Sequence, residues 1–158
     1  MLLIGRSAAG TDAVRHGARM AKPVLEATTQ VIDGHGLEGV RALAFSGIAD
    51  PEKFHISLAE AGVEVIDRRD FGDHHVFSDQ DCDELLEQAR VLGLELVTTQ
   101  KDWARLVRMG ARQEALRDIA RTLPIELRFE NEKMAQMLIR DTVRRAERRQ
   151  VAAPKAAV

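Results

Sequence analysis

The fold is decided by the stretch VRALAFSGIADP, which occupies residues 40–51. Its first half, Val40 to Phe45, is a short and mostly apolar run of the kind that forms a buried strand. Residues 47–50 predict a turn, and Pro51 suits the first position of a helix, where its missing N–H costs nothing. A strand that leads through a tight turn into a helix indicates an α/β protein.

The same unit recurs further along the chain. Residues 63–66 and 94–98 predict two more strands, and each follows a helical pattern that ends at a glycine, Gly62 or Gly93. The remaining predicted elements are helices at 101–109 and 113–122, a strand at 124–129 and a long helix at 130–150. We therefore predict an α/β fold with a mostly parallel sheet and helices on both faces, which makes three layers.

The residues before Val40 predict a separate piece of structure. Residues 2–4 predict a strand, residues 11–20 a helix, and the Gly-rich connection at 31–39 a domain boundary. We expect a remnant of a first domain with its linker at 1–39, an α/β domain at 40–150 and a disordered tail at 151–158. Because the chain opens directly on an apolar run, we also expect a longer protein upstream.

Composition excludes several classes of function. The net charge is −2, from 23 Lys and Arg against 25 Asp and Glu, so there is no basic excess for binding nucleic acid. The single cysteine, Cys82, lies between two aspartates, which disfavour a thiolate, and is predicted to be structural.

The last predicted helix is rich in arginine, which favours a solvated helix end and leaves contact with an anionic membrane surface as the alternative. These arginines are Arg140, Arg144, Arg145, Arg148 and Arg149.

Polar loops follow three of the predicted strands, at residues 45–51, 71–77 and 98–102. Ligands of open parallel sheets bind outside the carboxyl ends of the strands, so the three loops are expected to converge on one site. The second loop contains Asp73-His74-His75, and a carboxylate beside imidazoles can orient a general base, hold a metal or stabilise an imidazolium. The competing interpretation is a histidine pair that caps the next helix.

The third loop suggests an anion site. Thr98 or Thr99 can cap the following helix, and Lys101 can meet an anion near its exposed amides. Arg105 lies one turn after Lys101 on the same helical face and can extend the positive charge. Asp102 is the remaining candidate in this loop. The competing interpretation of the loop is a helix cap with a surface ion pair.

A glycine-rich stretch near the N-terminus imitates a phosphate-binding loop. Residues 5–11 have the glycine spacing of a P-loop and lie between a strand and a helix. Thr11 and Asp12 stand where a P-loop has Lys and then Ser or Thr, and the aspartate would repel phosphate. Nucleotide binding is therefore not predicted there.

Three segments that overlap the polar loops, at residues 44–54, 71–75 and 98–106, resemble in order and spacing those of the tetraacyldisaccharide 4'-kinase family. Residues 2–27 resemble the strand-helix-strand that precedes this region in the family, whereas Gln100 stands where the family usually has Glu. The resemblance implies that the chain is the C-terminal part of a P-loop kinase with a smaller second α/β domain. It implies transfer of the ATP γ-phosphate, with Mg²⁺, to the 4'-hydroxyl of a lipid A disaccharide precursor, a tetraacyldisaccharide 1-phosphate, at the cytoplasmic face of the inner membrane.

The resemblance also suggests roles for individual residues. His74, with Asp73 beside it, matches the family's catalytic histidine, which pairs with a carboxylate of the N-terminal domain to activate the hydroxyl. The Walker A loop, the Mg²⁺ ligands and that carboxylate are expected upstream of Met1, so no metal site is expected here and the chain alone is predicted to be inactive. Candidates for contacting substrate or nucleotide are His75, Thr98, Thr99, Lys101, Asp102 and Arg105.

Two other functions remain open at this point. Metal-dependent phosphoesterases also use Asp-His-His after a strand, but they add an Asp-x-Asp after another strand. The letters of Asp79-Gln80-Asp81 fit, yet they open a helix directly after the Asp-His-His loop. The third possibility is a binding module without chemistry.

Overall fold

A computed structural model describes residues 2–4, 14–16, 19–20, 24–32 and 36–152, with only the backbone for residues 2–4 and 149–152. The strands are β1 (Leu2–Ile4), β2 (Leu25–Val31), β3 (Arg41–Ser46), β4 (Glu64–Asp70), β5 (Glu95–Thr99), β6 (Arg121–Leu123) and β7 (Ile125–Phe129). The helices are α1 (Pro51–Glu60), α2 (Asp79–Leu92), α3 (Gln100–Arg105), α4 (Ala111–Ile119) and α5 (Glu132–Ala152). Contacts divide the chain into two compact units, Val31–Glu126 and the combination of Met1–Gln30 with Leu127–Val158.

The unit Val31–Glu126 is built on a four-stranded sheet in the order β4-β3-β5-β6, in which every pairing is parallel. Alternate residues of β3 enter two different cores, Leu43 on one side and Ala44 on the other. Helix α1 fills one core with Phe54 and Leu58, and helices α2 to α4 border the other. The predicted α/β class, with helices on both faces of a parallel sheet, is confirmed.

The strand register brings the carboxyl ends of β3, β4 and β5 to one edge. Ser46 at the end of β3 pairs with Asp70 at the end of β4, and Phe45 pairs with Thr98 of β5. The chain leaves this edge through capped helix starts: the Asp50 side chain accepts from the N–H of Lys53, and Pro51 is the first residue of α1. The loops singled out in the sequence therefore follow strands that end side by side.

Three predicted boundaries differ from the structure. β4 runs to Asp70, well past the predicted end at residue 66, because an edge strand tolerates the charged side chains that follow. Helix α4 ends at Ile119 instead of residue 122, and Arg121–Leu123 forms β6, which pairs with β5 and buries Leu123. Helix α3 spans only Gln100–Arg105 of the helix predicted to reach residue 109.

The other unit contains a three-stranded sheet in the order β1-β2-β7, with β1 and β2 parallel, together with helix α5. The sequence instead predicted that the last strand and last helix belong to the domain at 40–150. The difference arises because β7 neighbours β2, as in the bond from the N–H of Glu130 to the carbonyl of Glu26 at 3.0 Å.

Several predicted features lie outside the described residues. These are the glycine-rich stretch at 5–11, Asp12 and residues 153–158; of the predicted disordered tail, only residues 151–152 are described, and they are helical. Within the predicted helix at 11–20, residues 14–16 are helical. No helix in the described part of the chain is both long and apolar enough to cross a bilayer.

Candidate functional site at the carboxyl edge of the sheet

Helix α3 begins with a reciprocal hydrogen-bonded pair. Thr99 is the N-cap, and its Oγ1 accepts from the N–H of Asp102 at 3.0 Å. The same hydroxyl donates to Oδ2 of Asp102 at 2.7 Å. The Asp102 side chain is fully buried, so this pair belongs to the interior of the loop cluster and not to its surface.

Asp102 joins the loop that follows β5 to the loop that follows β3. The N–H of Gly47 donates to Oδ2 of Asp102 at 3.0 Å, across 55 residues of sequence. A Cβ at position 47 would lie 3.2 Å from Cβ of His75 and 3.4 Å from Oδ1 of Asp102. A side chain at position 47 would therefore require these loops to move apart by a few tenths of an ångström.

Arg105 is bound by the protein itself. Its Nη1 donates to Oδ1 of Asp102 at 2.9 Å and to the carbonyl of Gly47 at 2.9 Å. Its Nη2 lies 2.9 Å from Nδ1 of His74. The prediction that Arg105 extends an anion site gains no support from these contacts, since the guanidinium instead connects the three loops.

His74 is held at its backbone and exposed at its ring. Its backbone has φ 60°, a left-handed conformation that is uncommon outside glycine, and its N–H donates to the carbonyl of Gly47 at 3.1 Å. The side chain is 72% exposed, and Nε2 is 3.7 Å from the nearer Asp73 oxygen, too far for a hydrogen bond. Asp73 itself is exposed, so the two residues are neighbours without being directly bonded.

His75 occupies a different environment from its neighbour. Its ring stacks on Phe71 with centroids 4.6 Å apart, and Nε2 lies 3.0 Å from Oδ2 of Asp81. Asp81 also forms a capping box with Ser78 at the start of α2. Burial raises the pKa of Asp81, but the hydrogen bonds from Ser78 and His75 outweigh it and hold that pKa below its usual value. His75 therefore anchors the loop to helix α2.

The other candidates of the third loop do not join this cluster. Thr98 is fully buried in β5, and its hydroxyl has no hydrogen-bond partner among the described residues. Lys101 is exposed on the first turn of α3. Of the residues predicted in this loop, Thr99, Asp102 and Arg105 form one hydrogen-bonded cluster, which reaches His74 through Arg105. Lys101 faces solvent.

A cavity of about 270 Å³ opens beside the histidines. His74, His75 and Arg105 border it together with apolar side chains such as Met109. Gln113, which the sequence analysis missed, is also part of its wall; its Nε2 donates to the carbonyl of Phe77 at 2.9 Å, while its Oε1 is buried without a partner among the described residues. A glutamine within the apolar stripe of a short helix was the only sequence signal for it.

The described part of the chain contains no group of three side chains placed to hold a metal ion. His74 and His75 face different partners, Arg105 and Asp81, so the Asp-His-His loop does not converge on a common point. Asp79 accepts from Gln113 at 3.0 Å. These residues do not fit Mg²⁺, and they lack the ligand cluster of a metal-dependent phosphoesterase.

Cys82 fits its predicted structural role. Cys82 lies on α2, and its thiol is fully buried in the core. Burial, followed by the charges of Asp81, Asp79 and Asp83, raises its pKa to about 11. A thiol with this pKa stays protonated at neutral pH and is a poor nucleophile.

A parallel sheet flanked by helices, with polar loops at its carboxyl edge, defines the class as an α/β domain. Residues 2–143 match the family described as Tetraacyldisaccharide-1-P 4'-kinase, and the chain belongs to this family.

Individual relatives carry the corresponding name. The Tetraacyldisaccharide 4'-kinase of Allorhizobium ampelinum is 44% identical over 131 residues, which cover 80% of this chain and 38% of that protein. The one from Sinorhizobium fredii is 37% identical over 153 residues, 97% of this chain and 44% of that protein. The chain thus spans less than half the length of these relatives. A crystal structure of LpxK from Aquifex aeolicus in complex with ATP aligns with a TM-score of 0.49 at 17% identity, over 89% of this chain and 50% of that one.

Proposed function

We propose that this chain is the C-terminal part of a lipid A 4'-kinase. In that enzyme the γ-phosphate of ATP is transferred to the 4'-hydroxyl of a tetraacyldisaccharide 1-phosphate. The observation that carries the proposal is the exposed His74 ring, held at the carboxyl edge of the sheet in a chain of this family. An imidazole placed there can face a second domain across a cleft and take part in activating the hydroxyl.

The remaining parts of the reaction are assigned to protein outside these 158 residues. ATP and Mg²⁺ require a phosphate-binding loop with its lysine, and the glycine-rich stretch that imitates such a loop here is followed by Thr11 instead of lysine. Lys101, exposed at the start of α3, remains the candidate for contacting an anionic group of the substrate. The chain alone is therefore expected to show no kinase activity.

The enzyme is proposed to work at the cytoplasmic face of the inner membrane. Helix α5 supports this placement because three cations, Lys133, Arg140 and Arg144, line one groove against a single acid, Asp141, together with Met137, which is 58% exposed. A cationic face with an exposed apolar side chain suits anionic lipid headgroups.

The test is a chimera in which this chain replaces the matching 44% of the Sinorhizobium fredii kinase. Transfer of labelled phosphate from Mg-ATP to the disaccharide lipid is expected for the chimera and not for the isolated chain. Presenting the lipid in anionic vesicles should give faster turnover than zwitterionic vesicles. A folded chimera without any transfer activity would contradict the proposal.

Variants of the chimera separate the roles. His74→Ala should lower kcat by about 10²- to 10⁴-fold while the KM for ATP stays nearly constant. His75→Ala should cost less because its ring bonds to Asp81, and Lys101→Ala should raise KM for one substrate. Glu87→Ala, which removes an exposed carboxylate on α2, is the control and should leave turnover unchanged.

A further inference from the structure

The contact between Arg105 and His74 constrains the protonation of the imidazole. Arg105 Nη2 lies 2.9 Å from His74 Nδ1, and the Arg105 side chain is 24% exposed. An arginine guanidinium stays protonated in proteins and has five N–H donors but no acceptor. Nδ1 must therefore be the acceptor in this contact, and it carries no hydrogen.

The ring proton of neutral His74 then resides on Nε2. A neutral imidazole carries one N–H, and the contact with Arg105 occupies the lone pair of the other nitrogen. Adding a proton to Nδ1 would set two donors and two positive charges against each other. Nε2, on a side chain that is 72% exposed, consequently presents an N–H to whatever approaches this edge of the sheet.

The surrounding bonds hold both residues in this relation. Nη1 of Arg105 and the backbone N–H of His74 both donate to the carbonyl of Gly47, at 2.9 and 3.1 Å. Asp102, which is fully buried, also accepts from Nη1 of Arg105 at 2.9 Å. The left-handed backbone of His74 persists because its surroundings determine it so strongly.

We infer that Arg105 is a positioning residue that locks His74 as the Nε2–H tautomer, so that His74 acts in the reaction as a hydrogen-bond donor to an oxygen and not as the base. This inference rests on the proposed function for its role in catalysis, whereas the tautomer is a property of the chain itself. The proton of the attacking hydroxyl then passes to a carboxylate from the rest of the enzyme, which also accepts the hydrogen bond from Nε2–H of His74.

The tautomer is measurable in the complete 158-residue chain by long-range ¹H–¹⁵N correlation of the histidine rings. The spectra are recorded about two pH units above the ordinary histidine pKa of ~6.5, where imidazoles are neutral. The His74 signals are assigned by their loss in His74→Gln. We expect one tautomer, with Nδ1 unprotonated and Nε2 protonated; a protonated Nδ1 in the unaltered chain would overturn the inference without any variant.

Arg105→Lys is the informative substitution. Lysine keeps a cation for Asp102, but its single nitrogen cannot also reach Gly47 and His74 in the forked geometry of arginine. We expect a mixture of His74 tautomers in this variant, with the fold checked by circular dichroism. Arg90→Lys, in an exposed pair with Glu87, is the control and should leave the His74 signals unchanged. Identical His74 signals in Arg105→Lys and in the unaltered chain would contradict the locking role.

Kinetics of the chimera test the catalytic consequence. Arg105→Lys is expected to lower kcat by about tenfold to a hundredfold with the KM for ATP nearly constant, because the donor is no longer aligned. Unchanged kcat would overturn the role in the reaction. A chimera that is inactive even with Arg105 would instead refute the proposed function, while the ring spectra still decide the tautomer.

Discussion

Replacing Asp102 with alanine is predicted to destabilise the unit Val31–Glu126 severely. The carboxylate accepts from the N–H of Gly47 at 3.0 Å, the hydroxyl of Thr99 at 2.7 Å and Nη1 of Arg105 at 2.9 Å. The substitution removes the acceptor of all three donors at once and leaves the N–H of Gly47 and the partly buried Arg105 without this carboxylate.

The magnitude follows from burial. Breaking a buried ion pair by removing one partner costs about 3–5 kcal/mol, since the remaining charge is uncompensated. Arg105 is 24% exposed and regains some water, so we expect about 3–4 kcal/mol, a large share of the ~5–15 kcal/mol that stabilises an ordinary domain. Asp102→Asn keeps the shape but turns an NH₂ toward a donor, which should cost about 1–3 kcal/mol.

Urea unfolding, followed by the fluorescence of Trp103, measures these losses. Trp103 is the only tryptophan and reports on this unit directly, because its Nε1 donates to the carbonyl of Arg117 at 3.0 Å. With a slope of about 2 kcal/mol/M, the midpoint for Asp102→Ala should fall by roughly 1.5–2 M.

A second carboxylate–arginine pair provides a matched control. Glu87 and Arg90 have the same i,i+3 spacing and a distance of 2.7 Å, but their side chains are 60% and 72% exposed. Glu87→Ala should therefore shift the urea midpoint far less than Asp102→Ala, because solvent screens an exposed pair. If Asp102→Ala and Glu87→Ala shift the midpoint equally, burial is not what makes the Asp102 network strong, and the reasoning fails.

Two further perturbations probe the same edge of the sheet. The hydrogen bonds that lower the pKa of Asp81 contribute stability above its ordinary value of 3.8 and lose it as the pH falls through the lower folded value. The test is to measure unfolding free energies across pH 2–6, about two units on either side of the ordinary value of 3.8. They should fall more steeply toward acid in the unaltered chain than in Asp81→Asn, and parallel curves would contradict this. Gly47→Ala should cost about 1–3 kcal/mol in urea unfolding, because its Cβ would lie 3.2 Å from Cβ of His75, and an unchanged midpoint would show that the loops yield freely.

The fold class was predictable because apolar periodicity and turn residues agree along most of the chain. The strand predicted at Val40 to Phe45 is found at Arg41–Ser46, and the glycine at position 93 ends α2 in a left-handed conformation with φ 61°. β6 was missed because Arg121–Leu123 is too short to show a period and acquires its identity from pairing with β5. The length of β4 was missed because charged residues at an edge strand resemble a loop.

The location of the site was predictable from the sequence, but the hydrogen-bond partners within it were not. Parallel strands must end at one edge, so the convergence of the three loops follows from the order of elements alone. The partners within the cluster depend on backbone angles and rotamers that no local pattern encodes. The left-handed conformation of His74 and the 58-residue separation between Arg105 and the carbonyl of Gly47 are examples.

The hydrogen bonds at this edge of the sheet distinguish Arg105 from Lys101. The sequence offered Lys101 and Arg105 as equivalent members of one positive face, one helical turn apart. In the structure, Arg105 directs its guanidinium to Asp102, to the carbonyl of Gly47 and to His74, so its charge is compensated and its orientation is set by the protein. Lys101 stands exposed beside this group. We therefore expect different roles for the two residues: Arg105, held by the buried carboxylate of Asp102, positions His74, whereas the exposed Lys101 remains the proposed contact for an anion.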